Sequence, residues 1–327
     1  MKLFLFFLLI ASNFCFSQIF TQSPLNGSVT ITPKGLAGST NSTVNTSNLA
    51  LGEGALSAIS VDAQAVAIGT QALYSNTTGL QNTAVGFIAL RTTTTGAYNT
   101  ALGNATLYLN KDGNSNTALG FNTMFSNTSG HSNTATGVQA LTSNTTGIGN
   151  TAHGYIAGTS NITGSYNTFV GYIADVTAGN FSNSTAIGSY ASINASNKVR
   201  IGDANVTVIE GAVAWSHPSD KRLKENILYT SRLGLNFINR LQTVSYNYIA
   251  EKAKTRYDGF IAQDVEAVMK ELNVDFSGLK KADDGTYSLA YSDFVMPLVN
   301  AVKEQQKEIE ELKRQVQALI KAQNNKQ

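Results

Sequence analysis

Six pentapeptides recur in a fixed frame: NTAVG from Asn82, NTALG from Asn99, NTALG from Asn116, NTATG from Asn133, NTAHG from Asn150 and NTFVG from Asn167. Degenerate copies, NLALG at Asn48, AVAIG at Ala65 and STAIG at Ser184, extend the frame in both directions. Gly52, Gly69, Gly86, Gly103, Gly120, Gly137, Gly154, Gly171 and Gly188 are therefore spaced by 17 residues without an insertion. A second series, Gly79, Gly96, Gly113, Gly130, Gly147 and Gly164, precedes its partner glycine by 7 residues. A fixed period of this length means one supersecondary unit repeated and stacked.

The tract is rich in Asn, Thr, Ser and Gly, a composition that by itself suits disorder. The period argues against that. Ala recurs two positions before the framing glycine and again three after it, and a leucine often follows, as at Leu56, Leu73, Leu90, Leu107 and Leu141. Each unit has room for two strands of about four or five residues and two turns, which makes it one coil of a β-solenoid. Glycine permits the turns and close backbone approach, and alanine faces an interior too thin for more. Such a coil is expected to bury little alone and to associate with other chains.

Charge divides the chain in two. Residues 46–196 carry only Glu53, Asp62, Arg91, Lys111, Asp112 and Asp175, whereas residues 198–327 carry 36 charged side chains. The net charge of +2 gives no electrostatic reason to expect nucleic acid as a partner. With so few acids, the repeats also lack the paired carboxylates of glycoside chemistry, which weighs against an enzyme acting on a glycan.

N-T-A-x-G-x-x-A-L resembles the head repeats of trimeric autotransporter adhesins over roughly residues 48–192. The resemblance implies a mainly β protein, a left-handed parallel β-roll assembled as a trimer. No stretch near residue 327 reads as strands of a membrane barrel, so autotransport is not implied.

The opening MKLFLFFLLIASNFCFSQ reads as a secretory signal over residues 1–17, with cleavage expected after Ser17. The apolar run from Leu3 to Ala11 is too short for a span, and Phe14 is bulky for a lipid anchor at Cys15. Cys15 is the sole cysteine, so disulfides play no part. The expected organisation is then an N-terminal segment at 18–47, repeats at 48–197, a neck of short strands at 198–215 and an α+β module at 216–327. In that module Leu233, Phe237, Ile238 and Leu241 share a helical face, as do Ile261, Val265, Val268 and Leu272. Val244, Tyr246 and Tyr248 alternate along a strand. Val302, Ile309, Leu312, Val316 and Leu319 form a heptad seam within a coiled coil at about 298–323. Its β-branched residues alternating with leucine also suit a dimer.

The blocks P-S-D-K-R-L-K-E-N-I, L-G-L-N-F-I-N-R-L, V-S-Y-N-Y, G-F-I-A-Q-D-V-E and Y-S-D-F-V-M-P-L, in this order from Pro218 to Leu298, resemble the peptidase S74 family. These are the C-terminal intramolecular chaperones of endosialidases and other phage tail spikes and fibres. The resemblance implies a domain that trimerises, guides folding of the β-structured fibre and cuts itself free. It places a Ser–Lys dyad at Ser219 and Lys224, with cleavage at Ser219–Asp220; attack on the preceding carbonyl would instead cut Pro218–Ser219. The chemistry is coherent, since a neutral lysine can take the hydroxyl proton if burial or nearby cations, such as Lys221 and Arg222, favour the free amine. A spacing of five does not align the pair on a helix or strand, so a turn at Pro218–Asp220 must do so. His217 is an alternative base. On the residues alone, the segment also reads as a helix start capped by Ser219.

The expected product is a secreted or bacterial cell-surface fibre, with two further copies of itself and a cell-surface or glycan ligand as partners. An uncut fibre whose C-terminal module only trimerises is the competing reading. No cofactor or metal is expected, because His131 and His153 occupy variable repeat positions without ligand spacing. The N-x-S/T motifs at Asn41, Asn76, Asn127 and Asn144 carry no assigned role.

Overall fold

The computed structural model describes residues 48–325, apart from 62, 214, 215, 217 and 250–253. The signal and lipid-anchor readings, Asn41 and His217 therefore lie outside the described residues.

Each framing motif contributes one short strand. These are β1 (Leu49–Leu51), β2 (Val66–Ile68), β3 (Thr83–Val85), β4 (Thr100–Leu102), β5 (Thr117–Leu119), β6 (Thr134–Thr136), β7 (Thr151–His153) and β8 (Thr168–Val170). After β9 (Asp175–Val176) the series resumes with β10 (Thr185–Ile187), then β11 (Ser192–Ile193) and β12 (Val199–Ile201). Ten of them form one parallel sheet in the order β1-β2-β3-β4-β5-β6-β7-β8-β10-β12, with β9 and β11 pairing separately. Register is strict: Ala84 lies beside Ala101, and Ala101 beside Ala118. The fold is thus a parallel β-solenoid of about nine coils, one per 17-residue repeat.

The coil is built differently from the expected two strands per repeat. Most coils have a single three-residue strand, and the leucine side is a turn. Leu73, Leu90, Leu107, Met124 and Leu141 all have φ near +50°, a region that costs energy for a side chain with a Cβ. Neighbouring coils hold them there. The Leu73 amide donates to Ala89 O at 3.0 Å, Leu90 to Thr106 O at 3.0 Å, and Leu141 to Ala157 O at 2.9 Å. A backbone ladder thus runs down both sides of the coil, and the side chains turn inward, fully buried with Ala84, Ala89, Ala101 and Ala118.

Asparagine stacks complete the interior. The Asn116 amide donates to Asn99 Oδ1 at 3.0 Å, and Asn116 Nδ2 donates to Gly130 O at 2.8 Å. The same pattern links Asn82, Asn99, Asn116 and Asn133. A second stack joins Asn110, Asn127, Asn144 and Asn161 through their carboxamides. All of these are fully buried and hydrogen-bonded, as buried amides must be. The glycosylation motifs at Asn76, Asn127 and Asn144 accordingly sit on side chains that no glycan can reach.

One chain therefore closes its own alanine–leucine core, contrary to the expectation that such a coil buries little alone. What stays uncovered is the outward third position of the strands. Leu102, Leu119, Val170, Ile187 and Ile201 form an exposed apolar row, flanked by Phe87, Phe121, Tyr155 and Tyr172.

Among the described residues of the expected neck, only Val199–Ile201 is a strand, and it extends the solenoid sheet. The charged module follows: α1 (Leu235–Ile238), β13 (Val244–Tyr246), β14 (Tyr257–Gly259), α2 (Ala262–Leu272), β15 (Leu279–Lys281), β16 (Tyr287–Leu289) and α3 (Val295–Asn324). Its own core comprises Phe237, Val265, Phe276 and Phe294, with Leu233, Ile238, Leu241, Val268 and Leu272 packed on it. Phe276 meets Phe294 edge-on at 4.6 Å between centroids, a favoured aromatic geometry. Helix α3 is anchored at its start, where Glu304 Oε2 accepts from the Leu235 amide at 2.7 Å and Asn300 Nδ2 donates to Leu233 O at 3.1 Å. Beyond Glu304 it runs free of the module, with Ile309, Leu312, Val316 and Leu319 exposed.

Candidate functional site

The local sequence PSDKRLK folds as a short capped turn. Asp220 is the cap of a 3-10 turn over Lys221–Leu223, its Oδ1 accepting from the Arg222 amide at 2.8 Å. Ser219, the cap suggested by the residues alone, is displaced from that role by one position. The turn closes through Leu223 N to Asp220 O and Lys224 N to Lys221 O, both at 3.1 Å. It reverses the chain enough to return Lys224 to Ser219, with Nζ 2.8 Å from Oγ. The two residues of the expected dyad are thus in direct contact, brought together by a turn over Lys221–Leu223 that follows the expected Pro218–Asp220 turn.

Of the two cations thought to surround Lys224, Arg222 is engaged elsewhere. Its guanidinium donates to both Asp220 carboxylate oxygens, Nε at 3.0–3.1 Å and Nη2 at 2.6 Å. This pairing holds the Asp220 carboxyl below the usual carboxylate range and raises Arg222. Ser219, Asp220 and Lys224 are all exposed in the single chain.

The site sits on an uncovered arm. From Ala204 to Arg232 the described residues are exposed, and Val213, Leu228 and Tyr229 present 83%, 84% and 95% of their surfaces.

Two features escaped the sequence reading. Tyr246, Tyr248 and Tyr257 cluster with centroids 5.3–6.1 Å apart and line a groove of about 850 Å³ with Arg200 and Asp203. The hydrogen bond between the Tyr246 and Tyr248 hydroxyls raises the Tyr246 phenol above its ordinary value. The alternation V-S-Y-N-Y was the available signal, but its partner Tyr257 lies on the paired strand β14. The Asn stacks were equally present as a recurrence, yet recurrence alone does not distinguish a buried carboxamide from a turn residue.

Among the described residues, no group of three or more His, Cys, Asp and Glu within the chain could hold a metal ion. None of the described helices is long and apolar enough to cross a membrane.

The chain is a parallel solenoid followed by a small α+β module and a C-terminal helix, an arrangement that fits a tail-fibre-like protein. Residues 219–273 match the family profile of peptidase S74, described as chaperone of endosialidase. The matched stretch begins at Ser219 and includes Lys224, α1, β13, β14 and α2. No curated protein matches the chain.

Proposed function

We propose that this chain is a secreted or cell-surface homotrimeric fibre whose C-terminal module templates its folding and then detaches through Ser219 and Lys224. The observation that carries the reading is the 2.8 Å contact between Lys224 Nζ and Ser219 Oγ at the first matched residue of the chaperone family. Three uncovered apolar surfaces support assembly: the outward row of the solenoid, the arm at 204–232 and the seam of α3.

In the cleavage step the Lys224 amine, unprotonated, takes the Ser219 hydroxyl proton while Oγ attacks a peptide carbonyl carbon. The proton passes to the leaving amide nitrogen, an ester forms, and water hydrolyses it to a carboxylate with return of the serine. Attack on the Pro218 carbonyl is a direct N-to-O shift that cuts Pro218–Ser219. Attack by Ser219 on its own carbonyl would close a strained lactone. Cutting Ser219–Asp220, the bond to which the family points, is therefore assigned to the serine of a neighbouring chain in the trimer.

Assembly would also supply what the single chain lacks. A lysine in water holds its proton, and desolvation favours the neutral amine. Burial of the arm between chains places the dyad in such surroundings, so release follows folding. Loss of the template leaves the wound fibre kinetically trapped. The exposure of Ser219 and Lys224 in one chain favours a second reading, an intact fibre with a trimerising module.

A denaturing gel of the wild type beside Ser219→Ala tests the proposal. The wild type should release a C-terminal fragment of about 12 kDa, roughly 110 residues, an ordinary size for one domain; Ser219→Ala should remain full length. An intact wild type supports the second reading. The same fragment from both proteins would implicate an outside protease. Mass spectrometry of the fragment termini identifies the bond.

A further inference from the structure

The outward row of the solenoid sheet has a break in it. Reading the third strand position from β1 to β12 gives Leu51, Ile68, Val85, Leu102, Leu119, Thr136, His153, Val170, Ile187 and Ile201. Every member is aliphatic except the adjacent pair Thr136 and His153. The two are hydrogen-bonded to each other across neighbouring coils, Thr136 Oγ1 to His153 Nδ1. His153 is exposed in the single chain.

In a parallel homotrimer closed on this row, equivalent residues of the three chains lie in one plane about the axis. Three imidazoles would then converge between the Leu119 and Val170 layers. Successive layers are about 4.8 Å apart, so the histidines would lie in an apolar shaft that excludes bulk water. Polar groups enclosed in such a shaft are costly unless something satisfies them. Three neutral imidazoles at one point form a donor set suited to a divalent first-row transition metal with an open fourth position. The Thr136 contact provides the usual support for such a ligand: with Nδ1–H donating to the threonine oxygen, the Nε2 lone pair is left for the metal.

We propose that His153 of three copies forms an axial His₃ site for a divalent transition metal such as Zn²⁺, with Thr136 positioning each ring. The proposal rests on the trimeric reading above. It also gives the break a purpose. Nearly identical repeats can pair one coil out of register with little loss of apolar contact. The polar pair penalises such a slip, because a displaced His153 would lose its two equivalents at the axis and one polar layer would face an aliphatic one. Single buried polar layers specify register in coiled coils in the same way.

The test uses the full chain, with oligomeric state measured by sedimentation before and after metal addition. Zn²⁺ titrated calorimetrically should bind at one ion per three chains, and Co²⁺ should give the visible absorption of a four-coordinate site. His153→Ala should lower affinity at least about 100-fold, and Thr136→Val about 10- to 100-fold. His131→Ala and His217→Ala, altering the other two histidines of the chain, should bind as the wild type does. His153→Leu, which continues the aliphatic row, should remain trimeric without metal and keeps the test valid if the alanine variant misfolds. A trimer that binds no metal, binds one per chain, or binds independently of His153 overturns the site and leaves the trimeric reading standing. A folded monomer overturns both.

Discussion

Lys224 Nζ lies 2.8 Å from Ser219 Oγ across one 3-10 turn, and the cap of that turn is neither of them but Asp220. The proposed nucleophile and base are thus aligned by backbone hydrogen bonds and a charged cap, before any contact with the rest of the module. This separates the chemistry of the pair from the geometry that holds it, and each can be tested alone.

Removing either member of the pair should stop release. Ser219→Ala and Lys224→Ala are expected to slow cleavage roughly a thousandfold or more, with the fold intact because both side chains are exposed. Lys224→Arg should fail as well, since a guanidinium keeps its proton at any working pH. His217→Ala should cut normally. Band intensities over time on a denaturing gel measure all four, and unimpaired cleavage by Lys224→Arg would remove lysine from the mechanism.

Disturbing the cap should slow cleavage without abolishing it. Asp220→Ala deletes the acceptor of the Arg222 amide and the partner of its guanidinium, and a roughly three- to tenfold slower rate is expected on the scale of a lost cap. Because the Asp220 carboxyl is held below its usual range, its contribution is complete above about pH 4, the unfolded value. It is lost as pH falls through the lower folded value. Rates for the wild type and Asp220→Ala should therefore differ by a constant factor from pH 5 to pH 8. A factor that changes within this window would assign Asp220 a proton-transfer role instead.

The solenoid should be most sensitive where nothing apolar is buried. Asn116→Ala strands the Asn133 amide, which donates to Asn116 Oδ1, leaves Gly130 O to the Asn127 carboxamide alone, and should cost about 1–3 kcal/mol. Gly113→Ala should be worse, because a Cβ there would lie 2.3 Å from Asn110 Oδ1 and 2.5 Å from Gly130 O. Gly285→Ala, with φ +83° and open space around it, should cost only about 1 kcal/mol. Denaturation of the uncut Ser219→Ala background ranks the three, and an Asn116→Ala shift under about 0.5 kcal/mol would show that the stacks are dispensable.

Charges in the seam of α3 should uncouple everything downstream of assembly. Ile309, Leu312 and Val316 are exposed in the single chain, so replacing all three by Asp leaves the module's own core untouched. In a helix–helix interface the carboxylates would be desolvated without partners. Trimerisation and cleavage should be lost together. Efficient cutting by a variant that sediments as a monomer would show that assembly does not gate the reaction.

The sequence alone determined the solenoid. Its 17-residue frame dictates that like residues stack on like, so Ala84, Ala101 and Ala118 had to share one interior column whatever the coil's outline. It likewise carried the order of blocks from Pro218 onward that names the chaperone family, and with them Ser219 and Lys224. Only the tertiary structure decided how the coil is drawn. Leu73 and its equivalents occupy left-handed turns in place of a second strand, because the hydrogen bonds that make that conformation tolerable come from the next coil. Only the structure showed Asn99 and Asn116 as a buried stack, since a carboxamide's burial depends on which carbonyl sits above it. It also moved the cap from Ser219 to Asp220, and it set Thr136 against His153 in a row that the one-dimensional order keeps 17 residues apart. Periodicity fixes which residues repeat; the path of the chain between repeats fixes which of them face inward, outward or each other.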